Sequence, residues 1–180
     1  MGLFGFFGRR RRNRVVIEGL YRAIVDRSRA PVFYRDLGVP DTLDGRFELL
    51  TLYMTLVSRR LRVMTTPGPD MAQDLVDLTF AQFDAALREL GVGDVSMPKR
   101  MKAMAAAFLG RASAYDEALR SDEPEKLSAA LVRNLYGAAP CADDAVKKIM
   151  QDVRQSVAAL ENAPLDAYLT AQLPFPPLPL

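Results

Sequence analysis

The chain has 180 residues, 49% hydrophobic and 26% charged, which is enough for one domain with a real core and too apolar for intrinsic disorder. Histidine is absent and cysteine occurs once, as Cys141, which excludes Ser-His and Cys-His nucleophilic pairs, zinc and iron–sulfur sites and an intrachain disulfide, and favours a reducing compartment. Of the 24 basic residues five lie within residues 1–14, leaving 19 to face 22 acidic ones, so the formal charge of +2 describes an arm and not a nucleic-acid-binding body; DNA is not an expected partner.

Residues 1–13 form that arm. MGLFGFFG is far shorter than the ~20 apolar residues of a spanning helix, and its arginines follow the apolar run, the reverse of a secretory signal. Phe4, Phe6 and Phe7 beside Arg9, Arg10, Arg11 and Arg12 fit contact with an anionic membrane surface, where rings insert shallowly and arginines meet headgroups. A solvated arm or an RNA contact are the alternatives. Phe6 stands where a myristoylation signal needs Ser or Thr.

From residue 14 to 172 apolar residues recur at steps of three and four, and no segment alternates with period two. Ile17, Leu20, Tyr21 and Ile24 mark a first helix. Phe47, Leu50, Met54, Val57 and Leu61 mark a second, entered through Gly38-Val39-Pro40-Asp41-Thr42, with Arg59, Arg60 and Arg62 complementing the dipole at its end. Val76, Phe80, Phe83, Leu87 and Leu90 mark a third, with Asp84 and Arg88 placed for a surface ion pair.

Asp70, Asp74 and Asp77 share one face of that helix and could in principle hold Mg²⁺, as in an all-α isoprenoid-type enzyme. A second acidic helix is missing, and acids in a first turn are favoured by the dipole alone, so no metal is expected. Met97, Met101, Met104 and Phe108 mark a fourth helix; its methionines suit a core or, if part-exposed, a groove for an apolar segment. Lys99, Arg100 and Lys102 at its start oppose the dipole, a local conflict that a negatively charged partner would relieve.

Pro124 opens a helix through Leu127, Leu131 and Leu135 that Gly137 stops, and Asp143 and Asp144 open the last long one, through Val146, Met150, Val153, Val157 and Leu160 to Pro164. The tail, 173–180, is too proline-rich for helix; it packs on the body or, through Pro174 and Pro177, offers a minimal PxxP ligand. The expectation is an irregular all-α single-domain bundle of about six to seven helices.

Several stretches go beyond pattern: Pro31-Val-Phe33-Tyr34, GVPDTLDGRFE over 38–48, LRELGVGD ending at Asp94, Lys99-Arg100-Met101-Lys102 and Phe108-Leu-Gly-Arg111. Together they resemble the ubiquinol–cytochrome c chaperone family. The resemblance implies an all-α, non-enzymatic chaperone, without cofactor or haem of its own, that binds immature cytochrome b and promotes assembly of the cytochrome bc1 complex. It also implies possible partners in a small second subunit and the ribosome exit region. Starting at Met1 without an Arg/Ser-rich presequence, the chain reads as a bacterial member, cytoplasmic and peripheral on the inner face of the inner membrane.

Gly38, Gly45, Gly91 and Gly93 are read as permitting turns, and Pro40, Asp41 and Thr42 as starting a helix. Arg46, Glu48, Asp94, Lys99, Arg100 and Arg111 need not serve packing and become the client or partner candidates, with Phe33, Tyr34 and Met97 as apolar neighbours. No catalytic or metal-ligating residue is expected. The competing functions are the Mg²⁺-dependent enzyme and a ribosome- or RNA-binding adaptor using the arginine arm.

Overall fold

A helix whose middle turns are uncharged on all sides belongs in the middle of a bundle, and Leu43–Val63, with LLTLYMTLVS at its centre, is such a helix. The computed structural model describes residues 3–121, 123–137 and 139–178, with side chains from Asn13 onward. In chain order it contains α1 (Leu3–Ser28), α2 (Pro31–Arg35), α3 (Leu43–Val63), α4 (Gly68–Glu89), α5 (Met97–Ser121), α6 (Pro124–Leu131) with a π-helical turn over Val132–Tyr136, α7 (Asp143–Asn162) and α8 (Leu165–Leu169). No strand occurs among the described residues, so the fold is all-α as expected. Helix α3 packs against α1, α4, α5, α7 and the π turn. Its buried set, Leu49, Leu52, Tyr53, Met54, Leu56, Val57 and Leu61, therefore covers far more than the expected stripe, and Phe47 and Leu50 from that stripe are only half-buried.

The entry to α3 is built from the GVPDTLDGRFE stretch. Thr42 caps the helix by accepting a bond from the Gly45 N–H at 3.1 Å, satisfying one of the four donors that a helix start leaves free. Gly45 is not a turn glycine, a correction to the sequence reading: it lies within α3, where a Cβ would come 1.9 Å from the Pro40 carbonyl oxygen. Arg46 pairs with Asp41 at 2.7 Å across the same turn.

Two stripes turn relative to expectation. The buried residues of α4 are Met71, Ala72, Leu75, Thr79 and Phe83, while Val76 and Phe80 are half-buried and Leu90 is exposed. In α7 Ile149, Asp152 and Ser156 go inside and Met150 and Val157 sit at the margin. In both helices buried Thr, Ser or Asp residues occupy positions that a hydrophobic count passes over, which rotates the counted stripe away from the true one.

Helix α4 ends at Gly91, whose φ of 81° is the left-handed conformation. Its N–H donates to the Arg88 carbonyl and the next N–H, of Val92, to that of Leu87, the paired closure of a Schellman motif. The chain then reverses into α5. Between Phe83 and Phe108 the only buried residue is Met97, so the end of α4, the loop and the start of α5 form an αα-hairpin lying outside the core.

The tail packs on the body. Phe175 lies against the core, its ring centroid 5.6 Å from that of Tyr53, and the Pro176 carbonyl accepts a bond from Arg27 at 2.7 Å. Arg27 (α1) also pairs with Asp152 (α7), whose carboxylate accepts a bond from the Tyr53 hydroxyl as well. All three residues are buried.

Candidate functional site

Three features outside ordinary core packing cluster around α5. The first is a charged pair at the α3–α4–α5 junction. Glu48 is 6% exposed and accepts a bond from Arg111 Nε at 2.6 Å, while the Arg111 guanidinium stands 5.6 Å above the Phe47 ring. Phe47, Phe83, Phe80 and Phe108 continue from there as a chain of rings with neighbouring centroids 5.5–5.8 Å apart. Burial raises the Glu48 carboxyl above its usual value, and Arg111 opposes the shift.

This shift fixes the sign of a pH effect. Above the usual glutamate value near 4.5 the unfolded chain has released a proton that the folded chain still holds, so Glu48 contributes stability that is complete below this window and lost as pH rises through it. In urea denaturation, the wild type is expected to lose ground relative to Glu48→Gln as pH rises from about 4 through the raised folded value, and then to level off. A stability difference that stays flat, or moves the other way, would contradict the buried environment of this carboxyl.

The second feature is the α4–α5 hairpin. Its tip exposes Leu90 (61%) and Val95 (99%), with Leu87, Val92, Met101 and Met104 half-buried on its inner side. Arg88 bonds to Asp84 and Asp94 at 2.7 Å each and staples the end of α4 to the loop. Lys99, Arg100 and Lys102 are exposed, and no carboxylate lies within ion-pair distance of them among the described residues.

The third feature is an open groove of about 800 Å³ between the second half of α3 and α5, to which Val76 of α4 and Glu161 of α7 also contribute. Val63, Val76, Phe108 and Leu109 give its lining an apolar part, and Arg59, Arg60, Arg62 and Arg120 a basic one. Arg59 bonds to Asp116 at 3.2 Å and Glu161 at 2.8 Å, and Arg120 pairs with Asp116 at 2.9 Å.

The residues singled out from sequence scatter over this surface. Asp94, Lys99 and Arg100 meet on the hairpin, and Glu48 and Arg111 meet at the junction. Arg46 is exposed on the far side of the α3 entry, and half-buried Tyr34 donates to the Ser28 carbonyl at 2.8 Å. Three expectations of exposure are corrected: Phe33, Glu48 and Met97 are buried, the first in the main core, the second beneath half-buried Arg111, which pairs with it, the third under the hairpin. The side chains of Phe4, Phe6, Phe7 and Arg9–Arg12 lie outside the described residues. Asp74 accepts a bond from Asn13 at 2.6 Å and Asp77 from Gln73 at 2.8 Å, and no cluster of three metal-ligating side chains exists among the described residues.

Sequence reasoning missed the groove and the Arg27–Asp152–Tyr53 centre. Arg59, Arg60 and Arg62 carry no signal beyond a basic helix end, because most of the other residues lining the groove come from α4, α5 and α7. Asp152 did carry one: it lies three residues after Ile149 and four before Ser156, on the inward face of α7.

Comparison with known proteins matches residues 35–175 to the family model described as Ubiquinol-cytochrome C chaperone. The chain is 24% identical over 164 residues to the ubiquinol-cytochrome c reductase complex assembly factor 1 of Drosophila melanogaster, covering 88% of this chain and 62% of that protein. It is 26% identical over 161 residues to the protein of the same name from Xenopus laevis, covering 88% and 80%. A crystal structure of the Cbp3 homolog from Brucella abortus superposes with a TM-score of 0.86 at 32% identity, covering 98% of this chain and 97% of that one. The chain thus spans about three fifths of the length of the fly relative.

Proposed function

Because this chain belongs to the ubiquinol-cytochrome C chaperone family, we propose that it is a non-enzymatic chaperone that binds newly made cytochrome b and promotes assembly of the cytochrome bc1 complex. The animal relatives are named as assembly factors of that complex, which supports the reading. No helix among the described residues is long and apolar enough to cross a membrane, so a membrane-inserted client would be met from the side. The arm with Phe4, Phe6, Phe7 and Arg9–Arg12 would hold the chaperone against the anionic surface where that client emerges.

The α4–α5 hairpin is the client seat in this reading, and one observation carries it: the hairpin combines exposed Leu90 and Val95 and half-buried methionines with three cations that have no ion-pair partner among the described residues. Exposed apolar surface beside adaptable Met side chains suits varied apolar helices, and the cations suit a negatively charged flank. Lys99 and Arg100 also relieve their conflict with the α5 dipole by meeting such a flank.

Two measurements test this. Membranes from a deletion strain are expected to lose the b-type haem absorbance of the bc1 complex and cytochrome b itself, restored by complementation; normal bc1 content would refute the assembly role. Capture of in vitro translated cytochrome b is expected to fall about fivefold in Val95→Asp and in Lys99→Ala/Arg100→Ala, a loss of about 1 kcal/mol. Helical CD should not change and Tm should not fall, since these side chains are exposed and the two cations oppose the α5 dipole. Undiminished capture would move the seat elsewhere.

A further inference from the structure

We propose that the groove between α3 and α5 binds a phosphate monoester carrying an apolar chain. Its volume of about 800 Å³ lies in the ~300–1,000 Å³ range of small-molecule sites. Part of its lining is apolar, and Val63 and Leu109 are among the exposed large hydrophobic residues of the described chain. The lining also sets four arginines against two carboxylates, Asp116 and Glu161. Arg59 and Arg120 take up both acids. Arg60 and Arg62 have no acidic partner among the described residues, and the Arg60 Nε is buried without a hydrogen bond. The excess of two positive charges matches the about −1.5 to −2 charge that a phosphate monoester carries at pH 7, and guanidinium groups bind such oxygens in pairs.

A buried hydroxyl supplies an independent observation. Ser58 lines the groove, is 3% exposed, and its Oγ has no hydrogen-bond partner. Thr55, also lining it, and Thr79 satisfy their hydroxyls by donating to carbonyls four residues back, at 2.7 and 2.8 Å. The same local partner type is open to Ser58 and is not used, so its hydroxyl remains available to a ligand oxygen. Apolar lining, surplus guanidinium charge and a free buried donor together describe an amphiphilic anion. This site does not depend on the client reading, and its test uses no client.

The test is calorimetric titration of the full chain with dodecyl phosphate below its micelle concentration. Saturable binding of one molecule per chain is expected, with inorganic phosphate, dodecanoate and dodecyltrimethylammonium each weaker by roughly tenfold or more. Arg62→Gln is expected to weaken binding about tenfold and Ser58→Ala about threefold, as losses of a charged and a neutral contact; both should melt like the wild type, because neither side chain bonds within the protein. Absence of saturable heat, wild-type affinity in both variants, or equal binding of inorganic phosphate or dodecanoate overturns the proposal.

Discussion

Asp152→Ala is expected to lower the folding free energy by about 3–5 kcal/mol, the cost of leaving a buried charge without its partner. The charge left behind is Arg27, which sits between the rings of Phe33, Tyr53 and Phe175, at 5.9, 5.6 and 5.6 Å from their centroids. These rings soften its desolvation, but without Asp152 only neutral acceptors, the Pro176 carbonyl and the Tyr53 hydroxyl oxygen, remain beside it among the described residues. The Tyr53 hydroxyl would lose its acceptor too, since it donates to the same carboxylate. Burial raises the Asp152 carboxyl above its usual value, and the bonds from Tyr53 and Arg27 pull it back.

One pair thus ties α1, α3 and α7 together and, through Arg27, fastens the proline-rich tail. The double variant Arg27→Met/Asp152→Leu should recover most of the loss, because apolar side chains of similar volume need no desolvation. Urea denaturation of the two singles and the double gives the coupling. A cost below about 1 kcal/mol for Asp152→Ala, the scale of an exposed pair, would contradict the buried description. Limited proteolysis of the single variant Arg27→Met should release residues beyond Leu173 faster, as the tail loses its bond at the Pro176 carbonyl.

Gly45→Ala should cost about 2–3 kcal/mol, although Ala is ordinarily the better helix former. A Cβ at Gly45 would stand 1.9 Å from the Pro40 oxygen and 3.0 Å from its carbonyl carbon, both backbone atoms, so the chain entering α3 has to move. That movement strains the Thr42 cap and the Asp41–Arg46 pair built on the same turn. Gly110→Ala in α5 is the control: nothing lies within 4 Å of its Cβ, and helix propensity should make it stabilising by up to about 1 kcal/mol. Equal signs for the two substitutions, measured by thermal or urea unfolding, would rule out the close approach at Pro40.

What the residues decided alone was whatever depends on near neighbours in the chain. Steps of three and four placed the long helices, Thr42 and Pro124 started two of them, Gly91 and Gly137 ended two, and the Asp84–Arg88 pair formed at its four-residue spacing. Family membership, too, was legible in GVPDTLDGRFE and the stretches that follow it. Burial of a given side was not, because it depends on how many helices surround each one. Central α3 is buried nearly all round, and α4 and α7 turn Thr79, Asp152 and Ser156 inward where an apolar count does not look. Glu48 and Arg111 read as surface residues one at a time and became a pair, with Glu48 buried and Arg111 half-buried over it, only across 63 positions. Arg27 reached Asp152 across 125, and Arg59 reached Glu161 across 102. Helical periodicity is a property of local hydrogen bonding and spacing, whereas the groove, the hairpin's separation from the core and the pairing of distant charges follow from how the finished helices pack, and that packing only the tertiary structure decided.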